Sequence, residues 1–212
     1  MIVFQSIVGW GSGIGCSRTV RKKPGGRIIL KVSKLTNQTE IAVLGSGCFW
    51  CSEAVFQQLQ GVISVQSGYS GGHVQNPSYE QVCGKDTGHI EVVQIEFDPA
   101  IISYQDLLDI FFDTHDPTTP DRQGNDVGPQ YASAIFWQTD VQKETATQVI
   151  NARQADFADP IVTKLLPAAP FWPAESYHDD YFIQHPNQSY CAFVISPKVE
   201  KFKKRYSDKL KS

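Results

Sequence analysis

The sequence predicts an α/β (α+β) two-layer sandwich, a mixed sheet with flanking helices, and three observations carry that prediction. Runs of strand length, apolar or alternating, recur from Ile41 to Leu166. Amphipathic stretches with helix caps separate them, and such interleaving favours a sheet buried under its own helices. Past Pro167 the chain turns proline- and aromatic-rich with little periodicity, so a coil-rich C-terminal segment wraps over the sandwich. A length of 212 residues suffices for a real core, and one domain with extensions fits it better than two full domains.

Taken in order, Ile41 to Leu44 is a short apolar strand ending at Gly45-Ser-Gly47. Cys51, Val55, Phe56 and Leu59 recur at helical spacing, which predicts a helix from about Trp50 until Gly61 stops it. Val62 to Tyr69 alternates as a strand and runs into Ser70-Gly-Gly72, a turn whose glycines permit positive φ. After Asn76-Pro77 come a short helix, Tyr79 to Cys83, and a strand from His89 to Phe97 bounded by Asp98-Pro99. Ser103 caps a helix reaching Thr114, with Leu107, Leu108, Ile110, Phe111 and Phe112 as its core side. The Pro-, Gly- and Asp-rich stretch from His115 to Gln130 is longer than a compact domain tolerates without purpose, which marks it as an active-site loop. Tyr131 to Trp137 is the next strand, Thr139 or Asp140 caps a helix to about Phe157, and Ile161 to Leu166 returns as a strand. An apolar run reappears at Cys191 to Ile195, before a basic helix from about Lys198.

Composition narrows the function. A formal charge of −3 leaves no electrostatic footprint for nucleic acid, and no apolar run approaches the roughly 20 residues of a membrane-spanning helix. Small molecules or proteins fit better as substrates, and a monomer is the expected state. Five cysteines, an odd number containing one C-x-x-C pair, point to working thiols in a reducing compartment rather than structural bridges. Before Glu40 there is no acidic residue, while Arg18, Arg21, Lys22, Lys23, Arg27, Lys31 and Lys34 are all basic. Residues 1–39 therefore read as an extension, disordered or targeting, outside a single catalytic domain of residues 40–212. The compartment is the cytoplasm, or an organelle if that segment is a transit peptide. Cys16 within it is a bystander thiol.

Gly45-Ser-Gly-Cys-Phe-Trp-Cys51 carries the chemistry. It delivers Cys48 to a helix N-terminus, where unpaired N–H groups and the helix dipole favour a thiolate over the free thiol of pKa about 8.5. Cys51, three residues on, can share a helical face with Cys48 at the separation a disulfide needs. In the strand His89 to Phe97, Glu91 alternates with Val93, Ile95 and Phe97 and so points with the more apolar set. Enclosure there raises a carboxyl pKa and keeps the proton a general acid needs. A nucleophilic thiol and a protonated acid suit attack on a sulfoxide, whose oxygen grows basic as the sulfur is attacked. Phe49 and Trp50 can hold the S-methyl group, and the sulfenic acid left on Cys48 would condense with a nearby thiol, Cys51 being the near one.

Seven strings are similar to the A-type peptide methionine sulfoxide reductases over roughly Ile41 to Tyr206. They are Gly47-Cys-Phe-Trp-Cys-Ser-Glu53, Gly68-Tyr-Ser-Gly-Gly72, Asn76-Pro-Ser-Tyr-Glu80, Thr87-Gly-His-Ile-Glu91, His115-Asp-Pro-Thr-Thr119, Arg122-Gln-Gly-Asn-Asp-Val-Gly128 with Tyr131, and Pro173-Ala-Glu175 with His178. The resemblance implies a ferredoxin-like plait and reduction of methionine S-sulfoxide, free or in peptides and oxidised proteins. It implies no cofactor and no metal, and thioredoxin as the reductant. By the same resemblance Cys48 is the nucleophile, Glu91 the proton donor, Phe49 and Trp50 the methyl pocket, Tyr79 and Tyr131 the hydroxyls on the sulfoxide oxygen, and Asp126 a substrate-side carboxylate. Cys191 stands where other members carry a recycling cysteine, so Cys51 and Cys191 are both resolving candidates. Helical position favours Cys51, while Cys191 would be delivered by a mobile tail. His89, His115 and His178 read as structural hydrogen-bonding residues, and Cys83 as a packed thiol.

Two other classes compete. C-x-x-C after a strand also suits a thioredoxin-like dithiol oxidoreductase, against which the aromatic pair inside the motif counts. A zinc module of Cys48, Cys51, Cys83 and Cys191 lacks the second short-spaced pair such sites use.

Overall fold

The structure, a computed structural model, describes residues 39–211. The expectation for residues 1–39, Thr39 aside, lies outside the described residues, as does Cys16.

The chain enters as β1 (Glu40–Ser46) and passes directly into α1 (Phe49–Phe56). Then follow β2 (Val62–Ser70), α2 (Tyr79–Cys83), β3 (Ile90–Phe97) and α3 (Tyr104–Thr114). The helices start where their caps predict. The Ser78 and Ser103 hydroxyls each accept from the backbone N–H three residues on, and the Gln81 and Asp106 side chains reach back to the cap N–H, which satisfies two orphan donors at each end. The loop expected from His115 to Gln130 contains a small ribbon, β4 (Arg122–Gln123) and β5 (Asp126–Val127), turned by Gly124 at φ +60°. Two-residue strands carry no periodicity, which is why the sequence reads them as coil. A 3-10 turn at Pro129–Tyr131 leads into β6 (Ser133–Trp137), so Tyr131 precedes the strand instead of opening it. Next come α4 (Asp140–Arg153), capped by Thr139, and β7 (Lys164–Pro167). Beyond these lie β8 (Phe171–Pro173), α5 (Tyr181–Gln184), a π-helical turn at Cys191–Ile195 and α6 (Ser196–Arg205).

The six strands of the main sheet run in the order β7-β6-β1-β3-β2-β8, antiparallel throughout except for β6 with β7. In the central four, β1 and β2 are parallel with β3 between them, and β3 and β6 are parallel with β1 between them. Two such crossovers, through α1 and α3, define the ferredoxin-like plait that the resemblance implies.

The main core lies on the helical side of the sheet, where Leu44, Val93, Ile95, Phe97 and Ile135 meet Phe49, Val55 and Phe56 of α1 and Leu107, Leu108, Ile110 and Phe111 of α3. Val43, Ile90, Val92, Ala134 and Phe136 form a thinner cluster on the other side, covered by Leu166, Ala169 and Phe171. Period-two alternation in β3 thus sends its side chains to the two clusters as the sequence predicts. Gly68 shows why the edge strand β8 can pair: a Cβ there would lie 2.5 Å from the Trp172 carbonyl oxygen and from the Phe171 ring.

The segment after Pro167 departs most from expectation. It wraps over the sandwich as expected, but with regular pieces the sequence does not announce: β8 pairs with β2, and Cys191, Ile195, Val199 and Phe202 pack into the main core. Pro197 explains the π-turn: it has no N–H for the carbonyl one turn back, and its ring crowds that carbonyl, so the ladder widens just before α6.

Candidate active site

The site is built where β1 ends. Gly47, at φ +87°, turns the chain out of the sheet, and the Gln123 side chain packs so closely that a Cβ there would meet it at 2.5 Å. Cys48 becomes the N-cap of α1, but its side chain makes no capping hydrogen bond. A residue far along the chain serves instead: the Phe49 N–H donates to Glu91 Oε2 at 3.1 Å. The carboxyl of β3 is thus held at the helix start, beside Cys48.

Glu91 is only 2 % exposed. Burial pushes its carboxyl up to about 8, against the Phe49 amide, which pulls it down, and with the charge of Asp126 adding to the rise. Near neutrality the group therefore keeps its proton. Tyr79 and Tyr131 are raised above the usual phenol range, burial first in each case, so both remain hydroxyl donors.

Cys48, Glu91, Tyr79, Tyr131, Phe49, Trp50 and Asp126 all line one cavity of about 210 Å³. They come from the β1–α1 junction, α2, β3, the β5 ribbon and the 3-10 turn before β6, so the tertiary fold alone assembles them. Asp126 accepts a hydrogen bond from the Tyr190 hydroxyl at 2.5 Å, which ties the active-site loop to the C-terminal segment.

That segment supplies residues that orient the others. Trp50 Nε1 donates to His178 Nδ1 at 3.0 Å, and the Trp50 ring stacks on Tyr181 at 3.8 Å. His178, fully buried, touches the rings of Phe49 and Tyr79 with centroids 4.9 Å and 4.7 Å away. Because its Nδ1 accepts, the ring is neutral with its proton on Nε2, and burial lowers its pKa accordingly. Glu175 accepts from the Tyr79 N–H at 2.9 Å and from the Tyr69 hydroxyl at 3.3 Å, which fixes the start of α2. His89 and His115 make structural hydrogen bonds as expected, to the Gly72 amide and Val74 carbonyl and to the Phe111 carbonyl and Ser133 hydroxyl.

The thiols differ from the helix-terminus expectation. Burial pushes the Cys48 thiol well up, and the neighbouring Cys51 adds to that. Cys51 moves the other way, lowered by its hydrogen bond with Cys48 and further by the charge of Lys198. Cys48 rises because a sulfur closed off from water gains less from a helix N-terminus than it loses in hydration. Cys191 is fully buried in the π-turn and does not line the sulfoxide cavity.

Gln188 and Tyr190 also line the cavity and were not singled out by sequence. Tyr190 sits beside Cys191 in Ser189-Tyr-Cys191, where the thiol drew the attention, and aperiodic coil offers no face to read. Among the described residues, no cluster of three or more Cys, His, Asp or Glu side chains could hold a metal ion.

Comparison with known proteins agrees with this geometry. The family model described as peptide methionine sulfoxide reductase matches residues 40–210. A peptide methionine sulfoxide reductase MsrA of Ralstonia nicotianae is 59% identical over 179 residues, covering 82% of this chain and 94% of its own. Another from Sulfolobus acidocaldarius is 54% identical, covering 80% of this chain and 97% of its own. The solved methionine sulfoxide reductase A of Corynebacterium diphtheriae superposes with a TM-score of 0.68 at 32% identity, over 71% of this chain and 76% of its own. The chain belongs to the A-type peptide methionine sulfoxide reductases.

Proposed function

We propose that the protein reduces methionine S-sulfoxide, free or within peptides and oxidised proteins, with Cys48 as nucleophile and Glu91 as proton donor. The observation that carries this reading is the single cavity in which a buried thiol and a buried, protonated carboxyl meet between Phe49, Trp50, Tyr79 and Tyr131. The Cys48 thiolate attacks the sulfoxide sulfur while the oxygen takes the Glu91 proton and hydrogen bonds from the two phenols. Oxygen passes to Cys48 as a sulfenic acid, and methionine leaves with its sulfur reduced by two electrons. The Cys51 thiolate then attacks that sulfenic sulfur, a disulfide forms, and the hydroxyl leaves as water on protonation. Thioredoxin returns two electrons to the disulfide. Cys51 is favoured over Cys191 as first resolver because it lies in the first turn of α1, its N–H donating to the Cys48 carbonyl at 3.1 Å, and lines a second cavity together with Cys48, whereas Cys191 lines neither. We place the enzyme as a monomer in a reducing compartment, the cytoplasm or an organelle, on its cysteine pattern.

Single turnover without reductant, followed by disulfide mapping, tests the scheme. The parent should release one methionine and carry a Cys48–Cys51 bond, and Cys48→Ser should release none. Thioredoxin-driven turnover should be lost in Cys51→Ser and kept in Cys191→Ser. The opposite pattern for the last two assigns the resolving role to Cys191.

A further inference from the structure

A second cavity of about 210 Å³ opens beside the sulfoxide site and is lined by Cys48, Cys51, Asn125, Asp126, Tyr190 and Lys198, among others. The two cavities share only Cys48, Asp126 and Tyr190, and the hydrogen bond between the last two forms the partition. Glu91, Tyr79 and Tyr131 face the first cavity alone, whereas Cys51 and Lys198 face the second alone. We propose that the second cavity is the port through which an anionic reducing thiol reaches the oxidised enzyme, attacks Cys51, and is guided there by Lys198.

Resting on the assignment of Cys51 as resolver, the chemistry follows from which sulfur each cavity exposes. A thiolate can cleave a disulfide only at a sulfur it can approach, and of the two cavities only this one is lined by Cys51. The incoming thiolate bonds to Cys51 Sγ, the Cys48–Cys51 bond breaks, and Cys48 leaves as a thiolate facing the sulfoxide cavity. Reduction from this side therefore regenerates the nucleophile in its reactive form while the methyl pocket stays free for substrate. A second thiol, from a dithiol reductant or a second monothiol, clears the mixed disulfide and completes the two-electron transfer.

Lys198 carries the electrostatic part. It is half-buried in the first turn of α6 and forms no ion pair among the described residues. Its charge is close enough to Cys51 to draw that thiol down. Asp126 is the opposing charge in the same cavity, so removal of the lysine leaves a carboxylate alone to repel an approaching thiolate.

The test oxidises the enzyme with one equivalent of methionine sulfoxide, maps the disulfide, and measures its reduction at low salt. The probes are 2-mercaptoethanesulfonate, 2-mercaptoethanol and cysteamine, whose side groups are negative, neutral and positive. Lys198→Met should lose about tenfold in rate with the anionic thiol relative to the cationic one, the low end of what one charge in a cleft supplies. Lys198→Arg should behave as the parent, and methionine release in the first turnover should be unchanged in both. Mass spectrometry of the trapped intermediate should find the thiol on Cys51. A Cys48–Cys51 bond whose reduction ignores thiol charge in every variant, or an adduct on Cys48, overturns the port alone. A Cys48–Cys191 bond overturns the resolver assignment and the port with it.

Discussion

The β1–α1–β3 framework and the C-terminal segment from Pro167 to Ile195 build opposite walls of one site by different means. In the framework, direction comes from periodicity: β3 alternates, so Glu91 must point with Val93 and Ile95 into the helical layer, and β1 must end where α1 begins. In the C-terminal segment no repeat sets direction. Its residues are placed by specific contacts, the Trp50–His178 and Tyr190–Asp126 hydrogen bonds, the Tyr181 stack and the Glu175 bond to Tyr79. The difference teaches that the reacting groups sit on the sheet and its first helix, while the groups that aim them come from short turns and loops pinned by side-chain contacts. Rigid elements fix position, and a coil pinned by side chains can be shaped around a substrate.

The sharpest break falls on the framework side. Glu91→Gln keeps the shape and removes the proton, so the reductive step should slow by about 10² to 10³, as expected for loss of a positioned general acid. The parent rate should fall as pH rises through about 8, because the carboxyl raised to that value gives up its proton there. Glu91→Gln should lose that alkaline limb. Stopped-flow tryptophan fluorescence across pH 6 to 10 checks both, and equal neutral rates for variant and parent would remove Glu91 as the acid.

A milder effect is expected from the coil. Tyr190→Phe leaves Asp126 without its partner across the partition and should lower kcat/KM about fivefold, the worth of one hydrogen bond of about 1 kcal/mol. Steady-state kinetics on free methionine sulfoxide read this, and a loss as large as that of Glu91→Gln would erase the distinction between the two walls.

Where the walls meet, the expected effect is on stability and not on rate. Glu53 of α1 is buried against the turn at Asp180 and Tyr181; burial raises its carboxyl to about 7, while those two backbone amides pull it down. The unfolded chain releases this proton first, near pH 4.5, so the group's contribution to stability is full below that pH and is lost as pH rises through about 7. Glu53→Gln cannot ionise, and its melting temperature relative to the parent should climb between about pH 5 and pH 8. A constant offset across that range would show that Glu53 is not held between helix and coil as described.

Much of the molecule was legible beforehand, for reasons that differ by residue. Ser103 and Thr139 announce helix starts because the capping hydrogen bond is local. Phe111 and Ile95 announce the core because their spacing matches the element that carries them. The β4–β5 ribbon, β8 and the π-turn were not legible, since each is stabilised by a partner distant in sequence or by a proline acting one turn away.

The sequence by itself determined the two-layer α/β arrangement, the thiol at a helix start and the carboxyl on an apolar strand side, because periodicity and capping act over a few residues. Only the tertiary structure decided that Glu91 rather than a neighbour caps α1, that burial raises the Cys48 thiol while its surroundings lower Cys51, and that Cys191 is buried in the core. Those outcomes depend on which groups lose water together, and burial is a property of the packed chain and not of any stretch of it.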